Sequence, residues 1–144
     1  MKIRDILRTK GADVVQIAPD QSVLDAVGVL SEHRIGALVV TRGGTIEGVV
    51  SERDVLNLVA DRPDALRDTA VSEIMTTDVI VAVPTDDLDY VMNVMTNNKV
   101  RHLPIVEDGQ LAGIVSIGDV VHEVRKSVEA ENRHMKDYIQ GATR

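Results

Sequence analysis

The feature that most constrains the fold of this sequence is an internal repeat. Pro84 lies 65 residues after Pro19, and at this shift the segments beginning at residues 14 and 79 align without a gap. The identical pairs include Val29 with Val94, Leu38 with Leu103, Gly44 with Gly109, Gly48 with Gly113, Ser51 with Ser116 and Asp54 with Asp119. Such self-similarity indicates copies of one structural unit that pack on one another to complete a core. We therefore expect two similar halves.

Each half carries the same order of hydrophobic patterns. After its proline, apolar residues recur at the i, i+3, i+4, i+7 spacing of an amphipathic helix. Runs rich in β-branched residues predict three strands per half, over residues 14–18, 37–41 and 46–50 and over residues 79–83, 103–106 and 111–115. Glycine-containing turns join the last two strands of each half as hairpins, and a second helix begins near Ser51 and Ser116. The prediction is an α/β (α+β) fold of tandem βαββα repeats with pseudo-two-fold symmetry.

A short lead-in precedes each repeat. Residues 3–7 and 71–75 are similar at a shift of 68, because the first half has three extra residues around Gly11. A polar segment with Pro63, residues 61–69, reads as the linker between the halves. The expected organisation is residues 1–68 for the first repeat with its lead-in, 69–126 for the second repeat, and 127–144 for a C-terminal helical tail.

The composition excludes several classes of function. A formal net charge of −7 disfavours a nucleic acid polymer or an anionic membrane as partner. The chain has no cysteine for disulfides or thiolate metal sites, and its N-terminus lacks the apolar core of a signal peptide. A cytoplasmic location is the expectation. Aromatic residues make up 1% of the chain, so a planar ligand would lie between aliphatic side chains and backbone.

These residues resemble the CBS (cystathionine β-synthase) domain family, arranged as the tandem pair called a Bateman module. The resemblance rests on residues 48–55 (GVVSERDV), 113–120 (GIVSIGDV), 74–76 (IMT) and 100–105 (VRHLPI), in this order on the βαββα frame. It implies a disc-like pair with two clefts for adenosine-containing ligands such as AMP, ADP, ATP, NAD or S-adenosylmethionine. It also implies a regulatory role on an unknown partner protein, and no attached enzyme or channel is expected in this chain.

The resemblance assigns ligand roles to the Ser-x-x-Asp segments. The aspartates, Asp54 and Asp119, would hold ribose, and the serine and the residue before each aspartate would lie near phosphate, which adds Ser51, Arg53, Ser116 and Gly118. The alternative from the residues alone is a capping box, in which serine and the acid stabilise a helix N-terminus. The two roles can coexist.

Further candidates lie at the strand starts. Arg101 and His102 begin a strand where the first half has Gly36, and the two interpretations are a solvated strand end and a phosphate clamp. With Arg53, Arg101 would make the first cleft the more basic one, and Gly36 and Gly118 would leave the second roomier. By family analogy, adenine lies between aliphatic residues in each cleft, namely Val15 and Ile35 in one and Ile80 and Val100 in the other. Core packing is the alternative for all four.

No catalytic machinery is expected. The four histidines have no partner at a ligand or triad spacing, and no phosphate-binding Gly-x-x-x-x-Gly-Lys loop is present. The C-terminal helix carries an apolar seam of Val121, Val124, Val128, Met135 and Tyr138, which suggests a homodimer contact, with packing on its own repeat as the alternative. The alternative to a nucleotide sensor is a ligand-free structural or adaptor module.

Overall fold

The computed structural model describes residues 1–142, with side chains through residue 136. The first half comprises α1 (Ile3–Lys10), β1 (Gln16–Ile17), α2 (Val23–His33), β2 (Ala37–Arg42), β3 (Thr45–Ser51) and α3 (Glu52–Asp61). The second half comprises α4 (Val71–Ile74), α5 (Leu88–Asn98), β4 (His102–Glu107), β5 (Gln110–Ser116) and α6 (Ile117–Ala142).

Two small sheets reproduce the repeat. In the first, β1 pairs in parallel with β2, and β2 pairs antiparallel with β3. In the second, β4 and β5 form an antiparallel pair in the same register, so Leu38 opposite Val50 matches Leu103 opposite Val115. The residues between the paired strand ends have positive φ, which two-residue hairpin turns require; they are Gly43, Gly44, Asp108 and Gly109. The predicted hairpins and the βαββα frame are confirmed.

The first strand of the second repeat is the exception. Residues 79–83 form no strand, and only Ala82 bridges in parallel to Ile105. In the first repeat the equivalent strand is also shorter than expected, covering Gln16–Ile17 of residues 14–18. Pro104 occupies the β4 position that Val39 holds in β2, and proline has no N–H to donate to a neighbouring strand. The expected strand over residues 79–83 was therefore wrong, because its partner cannot extend the ladder.

The lead-in helices α1 and α4 are exchanged between the repeats. The amides of Ile3 and Arg4 donate to the carbonyls of Asp86 and Pro84 in the second repeat, at 3.0 and 2.9 Å. The same pattern links α4 to the first repeat, where the amides of Val71 and Ser72 donate to the carbonyls of Gln21 and Pro19. The exchange carries one or two apolar side chains into the opposite core.

Each repeat therefore has a core that the other repeat completes. The first core contains Val71 of the second lead-in together with Ile17, Ala26, Leu30, Leu38, Val40 and Val50. The second contains Ile3 and Ile6 of the first lead-in together with Ala82, Leu88, Val91, Met95, Leu103, Ile105, Val115 and Val120. The repeats also meet directly through β3 and β5. Burial of these aliphatic side chains drives the pseudo-two-fold packing.

The last helix, α6, continues well beyond the second repeat, to Ala142. Beyond Val124 its described side chains are all exposed. Among the helices of residues 1–142, none combines the length and apolar composition needed to cross a membrane.

Candidate functional site

The two Ser-x-x-Asp segments lie at equivalent helix N-termini. Ser51 ends β3 and caps α3, with its backbone amide donating to Asp54 Oδ2 at 2.8 Å and its Oγ accepting from the Asp54 amide at 3.4 Å. Ser116 and Asp119 make the same two contacts at the start of α6, at 2.8 and 3.1 Å. The capping interpretation is thus confirmed for both segments.

Capping leaves part of each carboxylate available. All the hydrogen bonds to Asp54 and Asp119 within the described part of the chain reach Oδ2, and none reaches Oδ1. Both carboxylates are half-buried, and each lies in the first turn of a helix. The positive end of the helix dipole and the first amides of the helix favour anionic groups at such a position. The geometry therefore allows a second acceptor role for each aspartate, towards a hydroxyl outside the helix.

The strand starts are tied to these helix starts by backbone hydrogen bonds. The Glu52 amide donates to the Gly36 carbonyl at 3.0 Å, and the Ile117 amide donates to the Arg101 carbonyl at 2.8 Å. Gly36 thus lies next to the start of α3, which carries Asp54, and the Arg101 backbone lies next to the start of α6, which carries Asp119. The side chains of Arg53 and Arg101 are exposed. The assignment of Arg101 to the first cleft stays a prediction.

The four aliphatic candidates each pack partly against one of the cores. Val15 and Ile35 are half-buried and pack against the first core, whereas Ile80 and Val100 are half-buried and pack against the second. Each pair therefore has a core-facing part and an accessible part. Gly118 is exposed beside Ser116.

One surface groove reaches the first strand start. It has a volume of about 430 Å³ and lies between α2 and α3. Its lining includes Ile35, Gly36 and Glu52, but neither Ser51 nor Asp54 borders it. The groove therefore reaches Ile35, one of the two aliphatic candidates of the first cleft, from the helical side, and the Asp54 carboxylate lies outside it. Within the described residues, no group of His, Asp and Glu side chains is arranged to hold a metal ion.

His102 lies where the two repeats meet. A Cβ at Gly36 would come within 3.3 Å of the His102 ring carbon Cε1 and 2.8 Å of Glu52 Oε1. Burial lowers the pKa of the His102 imidazole below its ordinary value, and the positive charge of Lys10 lowers it further. The carboxylates of Glu52 and Asp119 act in the opposite direction. The pseudo-two-fold packing thus brings a residue of the second repeat to the strand start of the first.

Lys10 is a site residue that the sequence interpretation missed. It is the last residue of α1, and its Nζ lies 2.6 Å from Asp119 Oδ2 and 2.8 Å from the Ile114 carbonyl oxygen. Burial raises the pKa of the Asp119 carboxyl, but the hydrogen bonds from Lys10 and Ser116 outweigh this effect and hold the pKa below its ordinary value. The expectation of a less basic second cleft therefore overlooked an ammonium group on its carboxylate.

The sequence and the fold are similar to those of known proteins. A CBS domain model matches residues 3–61 and 71–126. The chain is 34% identical over 148 residues to the mitochondrial CBS domain-containing protein CBSX3 of Arabidopsis thaliana, covering 96% of this chain and 72% of that protein. The crystal structure of the CBS-domain containing protein ATU1752 from Agrobacterium tumefaciens is similar with a TM-score of 0.82 and 42% identity, over 85% of this chain and 98% of that one.

A more distant structure extends the comparison of folds. The CBS domain pair of protein MJ0100, solved in complex with 5-methylthioadenosine and S-adenosyl-L-methionine, has a TM-score of 0.79 at 23% identity, over 88% of this chain and 98% of that one. The family match covers both repeats and most of the chain. This chain therefore belongs to the CBS domain family, as a tandem pair of CBS repeats.

Proposed function

We propose that this CBS pair is a regulatory module that binds adenine nucleotides and transmits their presence to a partner protein. The observation that carries the proposal is the pair of capping aspartates, Asp54 and Asp119. Each presents a carboxylate oxygen that accepts no hydrogen bond from the described residues, at a helix N-terminus next to strand starts with half-buried aliphatic side chains. The complex of the MJ0100 CBS pair with adenosine derivatives supports the same class of ligand.

The proposed roles follow from the chemistry of an adenosine ligand. The 2′ and 3′ hydroxyls of ribose donate to the carboxylate of Asp54 or Asp119. Phosphate lies against the helix N-terminal amides and the serine hydroxyl, with Arg53 as the cation in the first cleft. The adenine ring lies on the aliphatic side chains, because the chain has neither Phe nor Trp to stack on it. None of these roles consumes the ligand, so the module senses it.

A panel of ligands tests the proposal. Thermal unfolding is measured with AMP, ADP, ATP, NAD and S-adenosylmethionine. A ligand at 100 times its dissociation constant adds about 2.7 kcal/mol to the free energy of unfolding, which raises the melting temperature by several degrees. The absence of any stabilisation across the panel would favour the alternative function, a ligand-free adaptor.

Two matched substitutions test the carboxylates. Asp54→Asn and Asp119→Asn each keep an oxygen that accepts the capping hydrogen bond from serine, but they remove the charge. Each is expected to weaken the binding of the best ligand by about 1.5–3 kcal/mol, the range for a hydrogen bond to a charged group. Titration calorimetry measures the loss, and the melting temperature without ligand is the control for folding. Unchanged affinity and stoichiometry in both variants would limit the aspartates to capping.

A further inference from the structure

The second cleft contains a cation that comes from the far end of the chain. Lys10 belongs to the lead-in of the first repeat. The exchange of α1 brings it into contact with Asp119, which lies 109 residues later in the sequence. The ion pair is 2.6 Å long, and the two side chains are 35% and 26% exposed. Lys10 therefore lies at the surface of the cleft, on the carboxylate to which the ribose role is assigned.

The first cleft is built differently at the equivalent position. There the Val49 carbonyl accepts a hydrogen bond from the Thr76 backbone amide at 2.9 Å, whereas the equivalent Ile114 carbonyl accepts from Lys10 Nζ. The difference arises because α1 continues to Lys10, while α4 ends at Ile74. The first cleft has Arg53 where the second has Gly118. Each cleft thus has a cation, but from a different element.

We propose that Lys10 makes the second cleft selective for adenosine ligands that carry a phosphate group. The proposal rests on the proposed nucleotide-binding function and specifies the ligand charge at one of its two clefts. An ammonium group has three N–H donors, and two are used on Asp119 and the Ile114 carbonyl. The third has no acceptor among the described residues and can donate to a phosphate oxygen, so Lys10 bridges the ribose-binding carboxylate and the phosphate of a bound nucleotide.

The same charge acts against other adenosine ligands. An uncharged nucleoside has to share the Asp119 carboxylate with Lys10 and offers nothing to the third donor. A sulfonium ligand such as S-adenosylmethionine brings a positive charge towards the ammonium group, and solvent screens this repulsion less in a partly buried cleft than on an open surface. Lys10 therefore favours AMP over adenosine, and adenosine over S-adenosylmethionine, at this cleft.

Calorimetric titrations with AMP, adenosine and S-adenosylmethionine test the selectivity. They are made in the Asp54→Asn background, which weakens the first cleft so that the second dominates. Lys10→Met is expected to reduce AMP affinity by about tenfold, the equivalent of one lost contact of about 1.4 kcal/mol. Adenosine affinity is expected to change by less than about threefold and S-adenosylmethionine affinity to rise, because the repulsion is removed. Lys10→Arg restores the preference for AMP.

A matched variant controls for net charge. Arg8→Met removes one positive charge from the exposed side of the same helix, where Arg8 contacts only Asp5 among the described ion pairs. It is expected to leave all three affinities unchanged. If Lys10→Met changes the affinities for the three ligands equally, or raises all three, the proposed selectivity is wrong. Lys10 is then either a structural contact or a group that hinders ligand binding. If the folded parent protein binds none of these three ligands and none of ADP, ATP and NAD, the proposed function itself fails.

Discussion

His102 shows how one residue connects the two repeats. It begins β4 in the second repeat, and its imidazole lies beside Gly36 at the start of β2 in the first. A side chain at Gly36 would require the Glu52 carboxylate to move, because a Cβ there would lie 2.8 Å from Glu52 Oε1, and it would also press on the imidazole. The imidazole is half-buried among two cations and two carboxylates, and burial is the main cause of its lowered pKa. The neutral form of His102 is therefore the one that the folded protein favours.

This preference predicts a pH dependence of stability. The unfolded chain takes up a proton near the ordinary His102 pKa of 6.5, whereas the folded protein resists protonation until a lower pH. The contribution of His102 to the free energy of unfolding is thus fully present above pH 6.5, and it declines as the pH falls towards the pKa of His102 in the folded protein. His102→Gln is expected to flatten the decline in melting temperature below pH 6.5.

The exposed His134 in the distal part of α6 supplies the control for this measurement. His134→Gln should leave the slope of melting temperature against pH unchanged. A slope that is the same for wild type and His102→Gln would show that other groups cause the pH dependence.

At the residue scale, the sequence predicted short-range chemistry well. The Ser-x-x-Asp segments are helix caps as expected, because both partners lie within one turn of each other. Lys10 could not be predicted, because its contact depends on which repeat the lead-in packs against. The only local signal was the insertion around Gly11, which gives the first half three residues that the second lacks.

At the element scale, each exchanged lead-in lies over a glycine of the opposite hairpin. Met75 and Thr76, after α4, cover Gly48 of β3, and Leu7 of α1 covers Gly113 of β5. The two glycines occupy equivalent positions of the repeat, but different kinds of atom lie against them. A Cβ at Gly48 would lie 2.8 Å from the Thr76 carbonyl oxygen, which is backbone. A Cβ at Gly113 would lie 2.7 Å from the Leu7 methyl carbon Cδ2, which can rotate away.

The difference predicts unequal costs for the same substitution. Gly48→Ala is expected to reduce the free energy of unfolding by about 1–3 kcal/mol, the range for overpacking a tight contact. Gly113→Ala should cost less, because only a side-chain rotamer has to change. Urea denaturation of the two variants measures both losses. Equal losses, or a larger loss for Gly113→Ala, would contradict the close backbone approach at Gly48.

The missing strand over residues 79–83 shows a limit of prediction at the element scale. Its β-branched pattern is as typical of a strand as that of residues 14–18. The ladder fails because Pro104, in the partner strand, offers no N–H. A strand pattern describes one chain segment, but pairing depends on two.

At the scale of the whole molecule, the exchange of lead-ins makes the repeats interdependent. The repeat and its pseudo-two-fold packing could be predicted from the 65-residue period, since two small sheets each need a cover. The exchange of the lead-ins could not be predicted, because a lead-in of this length is long enough to pack on the sheet of either repeat. Ile3 and Ile6 are almost completely buried in the second core, so the first repeat contributes to the stability of the second.

Several apolar side chains remain exposed on the helices, on the sides that face away from the cores. They include Leu56 and Val59 on α3 and Val121, Val128 and Met135 on α6. In α3, Leu58 is buried while Leu56 is 64% exposed, so one side of the helix packs on its own repeat and another has no cover within the described residues. The predicted seam on α6 also included Tyr138, whose side chain lies outside the described residues. A helix that is apolar on two sides is usually buried on both.

These surfaces lead to the prediction that the protein is a homodimer through its helices. Light scattering across a dilution series should give twice the chain mass of 15.7 kDa at high concentration. Truncation after Arg125 removes Val128 and Met135 and should shift dissociation to higher concentrations, because less apolar surface is buried between the chains. Nucleotide binding should persist in the truncated chain, because every proposed ligand residue precedes Arg125, and calorimetry of the same samples checks this. A full-length chain that is monomeric at all concentrations would contradict the prediction.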